Sequence, residues 1–155
     1  MKLLVTASLL LALSVGVAAG ASLPGVRTPT RNISCFWVPV KKTAGAPVTA
    51  TTPGNLLCDI KQAAYLGAEQ SGCQSRAGLD WHGFELGSAD RRAAPVCSGG
   101  ILYDIGRDTP SFTVLGYGKT WRFRAFTCTS RITGLTCTNR YGHGLFLSRE
   151  SRRLW

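Results

Sequence analysis

The sequence predicts an all-β domain, a small disulfide-bonded antiparallel sandwich or barrel with one short helix at most. Three observations predict it. Short apolar groups recur between glycine-containing turns over most of the chain after residue 78. Six cysteines stand in 155 residues, and four of them fall in two pairs of segments that read as matching strands. Only Lys61–Gln70 has a composition suited to helix, about two turns, and Gly67 weakens it. With 45% hydrophobic and 17% charged residues, the chain can bury a core and is excluded from the class of disordered polyelectrolytes.

The elements follow in order. Met1–Ala21 reads as a cleavable signal peptide: Lys2 is a minimal basic start, Leu3–Val17 is largely apolar, and Ala19-Gly20-Ala21 supplies small residues for cleavage. The first cysteine is Cys35, so no lipid-modified N-terminal cysteine is available, and no second apolar stretch reaches membrane-spanning length. Residues 22–31 contain two prolines and are expected as an extended lead-in. The single β-rich domain then covers 32–155. Its first two strands, Asn32–Val38 and Asn55–Ile60, flank a loop at 41–54 whose small and polar residues predict flexibility. Beyond the helix, strands are expected at Leu79–Trp81, Phe84–Leu86 (with a bulge at Gly83), Ile101–Ile105, Phe112–Leu115, Thr120–Phe126, Leu135–Thr138 and Leu145–Ser148. In Trp121–Phe126, apolar and basic residues alternate, the pattern of one strand with a buried face and a cationic face.

Export puts the cysteines in an oxidising compartment, where six in so short a chain form disulfides. Six cysteines allow fifteen connectivities, and strand logic narrows them. Ala125–Thr129 and Gly134–Thr138 form two strands about a short turn with both cysteines on one side, which gives Cys128–Cys137. The Asn32–Val38 and Asn55–Ile60 segments repeat the arrangement across a longer loop and give Cys35–Cys58. Cys73–Cys97 is the remaining pair. Each removes chain entropy worth about 3 kcal/mol from the unfolded state. No C-x-x-C spacing occurs, so no zinc site or other metal is expected. The likeness of the two cystine hairpins suggests a weak internal duplication.

Cys58-Asp59-Ile60, Leu79–Leu86, Leu115-Gly116-Tyr117-Gly118, Phe126–Ser130, Thr133–Asn139 and Gly142–Arg149 occur in one order along the chain. This resembles a family of secreted bacterial six-cysteine proteins known only as a domain of unknown function. The resemblance covers nearly all of Asn32–Trp155 and is most specific over Phe126–Arg149. The chain departs from the pattern at Arg31-Asn32, where the family opens with Gly-Asn, and in the longer 41–54 loop. The resemblance implies a secreted, disulfide-bonded domain and carries over no catalytic residue.

Gly116-Tyr117-Gly118-Lys119-Thr120 resembles part of a phosphate loop, but the required earlier glycine is Thr113 and a strand follows in place of a helix. No nucleotide is therefore expected. His82 and His143 are the only imidazoles and could cleave RNA by acid–base catalysis, with Arg149 or Lys119 holding phosphate and Glu150 or Glu85 as a spare base. The simpler reading places both histidines in turns. Ser148 and Ser130 lie in no nucleophile elbow, and Asp80 with Glu85 defines no carboxylate spacing. Asn32-Ile33-Ser34 fits a glycosylation triplet and equally the start of a strand.

Charge is the feature with physical reach. The chain carries 18 Lys+Arg against 8 Asp+Glu, a formal +10. Nine of the cations and only two acids fall in residues 107–155. Arg122 and Arg124 are read as sharing a face, and Arg149, Arg152 and Arg153 as clustering beside Trp155. These five form the expected polyanion-binding set, suited to an anionic envelope polymer or lipid headgroups. The functional expectation is an exported or periplasmic non-catalytic binding protein without a cofactor. The alternatives are an RNase-like hydrolase using His82 and His143, and an inhibitor whose 41–54 loop enters the cleft of an extracellular hydrolase.

Overall fold

The computed structural model describes residues 23–40, 47–100 and 110–155. The expected signal peptide, part of the 41–54 loop and the expected Ile101–Ile105 strand lie outside the described residues. Two open sheets pack face to face; the described strands do not close into a barrel. The first sheet holds six strands: β1 (Leu23–Arg27), β2 (Ile33–Pro39), β3 (Gly54–Ile60), β4 (Asp80–Gly87), β5 (Ala94–Ser98) and β6 (Pro110–Val114), in the order β5-β4-β3-β2-β1-β6. The second holds β7 (Thr120–Phe123), β8 (Phe126–Arg131), β9 (Gly134–Asn139), β10 (Gly144–Leu147) and β11 (Arg152–Leu154), in reverse sequence order. The one helix, α1 (Leu66–Ala77), lies against β4 and β5.

Period-2 alternation builds the core. β8 buries Phe126, Cys128 and Ser130, and β9 buries Leu135, Cys137 and Asn139, while the residues between them are partly exposed. Val26, Trp37, Leu56, Phe84 and Leu86 from the first sheet meet Phe126, Leu135, Leu145 and Leu147 from the second in one cluster. Burying each large apolar side chain contributes about 1.5–3 kcal/mol. At its centre the two cystine hairpins face one another. Cys35 stands opposite Cys58 across β2–β3, and Cys128 opposite Cys137 across β8–β9, each pair with Cα atoms 4.0 Å apart. The Cys35 and Cys137 sulfurs approach to 3.9 Å across the sandwich. Three of these sulfurs lie within 4.8 Å of one another, but all belong to disulfides, and none is a thiolate ligand. Cys73–Cys97 ties α1 to β5.

Four expectations need correction. Residues 22–31 were read as a lead-in outside the domain, yet Leu23–Arg27 is an inner strand with Val26 fully buried. Its alternation is too short and too interrupted by Pro24 and Gly25 to be legible locally. The sheet is not wholly antiparallel: β6 pairs β1 in parallel, because it arrives by a crossover and no hairpin joins the two. The helix runs Leu66–Ala77, 12 residues, starting five residues later than the expected Lys61–Gln70 and two residues longer. Asn32 explains the delay: it accepts from the Gln62 backbone N–H and donates to the Gln62 carbonyl, holding Gln62 in a bend outside the helix. Finally, the two strands expected at Leu79–Trp81 and Phe84–Leu86 are one, β4, which begins just after Leu79 and whose register shifts between Trp81 and Phe84. The expected bulge is there, with Gly83 at φ 103° against the Cys58 carbonyl, where a Cβ would collide.

Candidate functional site

The alternating segment Trp121–Phe126 is two strands, not one. Phe123 pairs with Phe126, and Arg124-Ala125 make the two-residue turn of the β7–β8 hairpin. Arg124 adopts a left-handed φ of 54°, a conformation most residues avoid in favour of Gly or Asn. Arg122 and Arg124 therefore do not share a strand face. Arg122 stays on the outer side of β7, exposed, beside Thr127. Arg124 folds back over the Trp37 ring, its guanidinium carbon 4.2 Å from the ring centroid. Its Nη1 donates to the carbonyls of Ala50 (2.8 Å) and Thr52 (3.0 Å). The described end of the 41–54 loop, residues 47–53, is thus pinned to the hairpin.

This clasp shapes a groove of about 610 Å³. It is lined by Trp37 and Phe126, by residues 50–54, and by Arg122, Arg124, Thr127 and Arg140. Gly54 is required there, because a side chain at that position would run into the Trp37 indole. Asn139 also lines the groove. It donates to the carbonyls of Gly87 (2.9 Å) and Ala89 (3.0 Å), and its Oδ1 accepts from the Tyr141 and His143 backbone N–H groups. Those bonds hold the turn from which Arg140 projects, stacked on Tyr141. Three arginines thus line one concavity, and no Asp or Glu is among the residues lining it. A guanidinium has five N–H donors, and Arg124 commits only Nη1 to the loop. The arrangement can take a phosphate, sulfate or carboxylate group by charge-assisted hydrogen bonds.

The remaining sequence candidates are dispersed. Arg149, Arg152 and Arg153 do not cluster. Arg152 pairs with Glu69 of α1, a carboxylate only 5% exposed, and lies near the Tyr65 ring. Arg153 points the opposite way from β11 and sits over Phe146 at 5.5 Å. Arg149 borders a separate groove of about 230 Å³ with Arg131 and Glu150. Trp155 is tied to the β9–β10 turn by its Nε1 donating to the Gly142 carbonyl and by a reciprocal backbone pair with Gly144. Arg140 belongs to the site but carried no sequence signal beyond its charge.

The two imidazoles are not brought together. His82 bonds the Ser98 carbonyl near the start of β4. His143 Nε2 lies 2.6 Å from Asp90 Oδ1, beyond the other end of that strand. His82 to Gly87 alone spans about 16 Å of strand at the usual rise. Asn32 is buried and doubly bonded to Gln62, so its amide is committed within the fold. Gly116–Lys119 is a turn closed by a bond from the Lys119 N–H to the Gly116 carbonyl, and β7 follows it. Burial holds the Tyr65 phenol protonated, its pKa pushed up to about 12 despite the neighbouring Arg152; the hydroxyl donates to the Ser148 carbonyl at 3.1 Å.

Residues 5–155 match the model of a family described as a family of unknown function, DUF6636. The chain belongs to that family. Neither a curated protein nor a solved structure matches it. Membership in DUF6636 extends over every described strand and supplies no site residue. Three disulfides fit an oxidising, extracytoplasmic environment. Among the described residues, no helix is long and apolar enough to cross a membrane.

Proposed function

We propose that this chain is an exported, non-catalytic binding domain that holds an anionic polymer of the cell envelope in the Arg122/Arg124/Arg140 groove. One observation carries the reading: three arginines line a concavity that no Asp or Glu lines. Bringing like charges together without compensation costs free energy, and an anionic ligand relieves that cost. The disulfide-braced core beneath keeps the groove in shape, so little ordering entropy is spent on binding.

The experiment is adsorption of the purified, oxidised protein to isolated envelope polymer and to heparin over a salt series. Binding at low salt that fades toward 0.5 M, as screening shortens electrostatic reach, is the expected result. Arg122→Gln with Arg140→Gln should abolish it while leaving the fold intact. Failure to bind at low salt, or binding indifferent to salt and to both substitutions, refutes the proposal.

A further inference from the structure

The groove shares Arg122 and Thr127 with the outer face of the five-stranded sheet, and the register of that sheet assembles an unusual surface. Thr120, Thr129 and Thr136 stand side by side on β7, β8 and β9, and Phe146 and Arg153 continue the row on β10 and β11. The next row runs Arg122, Thr127, Thr138 and Gly144. Five threonines thus cover the centre of the face, with one arginine on each edge strand and no carboxylate in either row. The Thr120 and Thr129 hydroxyls lie 3.1 Å apart, and Arg153 stacks on the Phe146 ring. The helix packs on β4 and β5 of the other sheet. Gly144, at the end of the second row, is buried against the Trp155 indole, while the threonines and both arginines of the two rows are partly or fully exposed.

From this juxtaposition we infer that the face is a track for an extended acidic polysaccharide, laid across the strands from the groove at Arg122 and Thr127 to Arg153. The inference rests on the groove reading and names its ligand class. Threonine hydroxyls both donate and accept, as sugar hydroxyls do. Their β-branched side chains have few rotamers to lose on binding. The Phe146 ring backs the Arg153 guanidinium and holds it in place, and the two edge arginines take acidic groups at separated positions along the chain. Four inter-strand spacings separate β7 from β11, about 19 Å, which several linked sugar rings cover and a single one does not. A membrane surface fits less well, because the two rows combine hydroxyls with widely separated charges and offer only Phe146 for insertion.

The test is isothermal titration at low salt with galacturonate monomer, oligogalacturonates of increasing length, neutral galactose oligomers of matched length, inorganic phosphate and anionic phospholipid vesicles. Affinity should climb with oligogalacturonate length until the track is filled and should be absent for the neutral series. Arg153→Gln and Thr136→Val should each weaken the longest oligomer about three- to fivefold and leave the monomer unchanged. Thr136→Ser, which keeps the hydroxyl, should restore binding and so excludes a folding defect. If phosphate or the monomer binds as tightly as the long oligomer, the track is refuted while the groove stands. Binding of the vesicles in preference to the oligomers also refutes it. If none of the anions binds, both readings fail.

Discussion

Arg122 and Arg124 are two residues apart, and the structure gives them different work, so substituting each by glutamine is a sharp test. Arg124→Gln removes two charge-assisted bonds to the Ala50 and Thr52 carbonyls and the stacking on Trp37. The bonds contribute about 1 kcal/mol each and the cation–π contact about 0.5–1 kcal/mol at an exposed site. The left-handed backbone at position 124 costs Arg and Gln alike and cancels. Allowing for partial replacement by the glutamine amide and by water, the loss is roughly 2 kcal/mol. Arg122 makes no such contact, and an exposed substitution of that kind changes stability by about 0.5 kcal/mol or less. Urea unfolding followed by tryptophan fluorescence reads the difference. With a slope near 2 kcal/mol/M, the Arg124→Gln midpoint should fall by about 1 M and the Arg122→Gln midpoint should hardly move. Arg124→Lys keeps the charge but loses the planar fork and should recover only part of the loss. Equal shifts for the two glutamine variants, or none for Arg124→Gln, would refute the division of roles.

The remaining predictions concern the braces of the fold. Arg152→Gln leaves the buried Glu69 carboxylate without its cation and should cost about 2–3 kcal/mol, the low end for a buried pair because the arginine is partly exposed; adding Glu69→Gln should return part of it in a double-mutant cycle by chemical denaturation. Because Tyr65 ionises near 12 in the fold against 10.0 unfolded, its contribution to stability is complete below pH 10 and is lost as pH rises from there through 12. Tyr65→Phe should therefore show a shallower decline over that window in pH-dependent unfolding, besides losing about 1 kcal/mol near neutrality with the bond to Ser148. Replacing Cys128 and Cys137 together by serine should cost about 2–5 kcal/mol in the same assay.

What the sequence made legible is local. Cysteines at matching positions of two short strands specify the facing pairs Cys35–Cys58 and Cys128–Cys137, because cross-strand neighbours in a hairpin are fixed by the turn between them. Alternation in Phe126–Arg131 and Gly134–Asn139 reports which side faces the core, and Gly83 marks the bulge. The arginines were legible only as charge. Alternation cannot distinguish a strand that continues through Arg124 from one that turns there, and a two-residue turn decides whether that side chain joins a cationic face or clasps a loop.

The tertiary structure made the other assignments. Glu69 and Arg152 are 83 residues apart. They meet because Ala64 and Tyr65, just ahead of α1, bond the carbonyls of Arg149 and Ser148, just ahead of β11. Arg140 enters the groove because Asn139 reaches 52 residues back to the Gly87 carbonyl. Strand period and hairpin register are properties of neighbouring residues, so the chain carries them in its order. A guanidinium's partner depends on which distant backbone arrives beside it, and that is settled only when the two sheets close on their shared core.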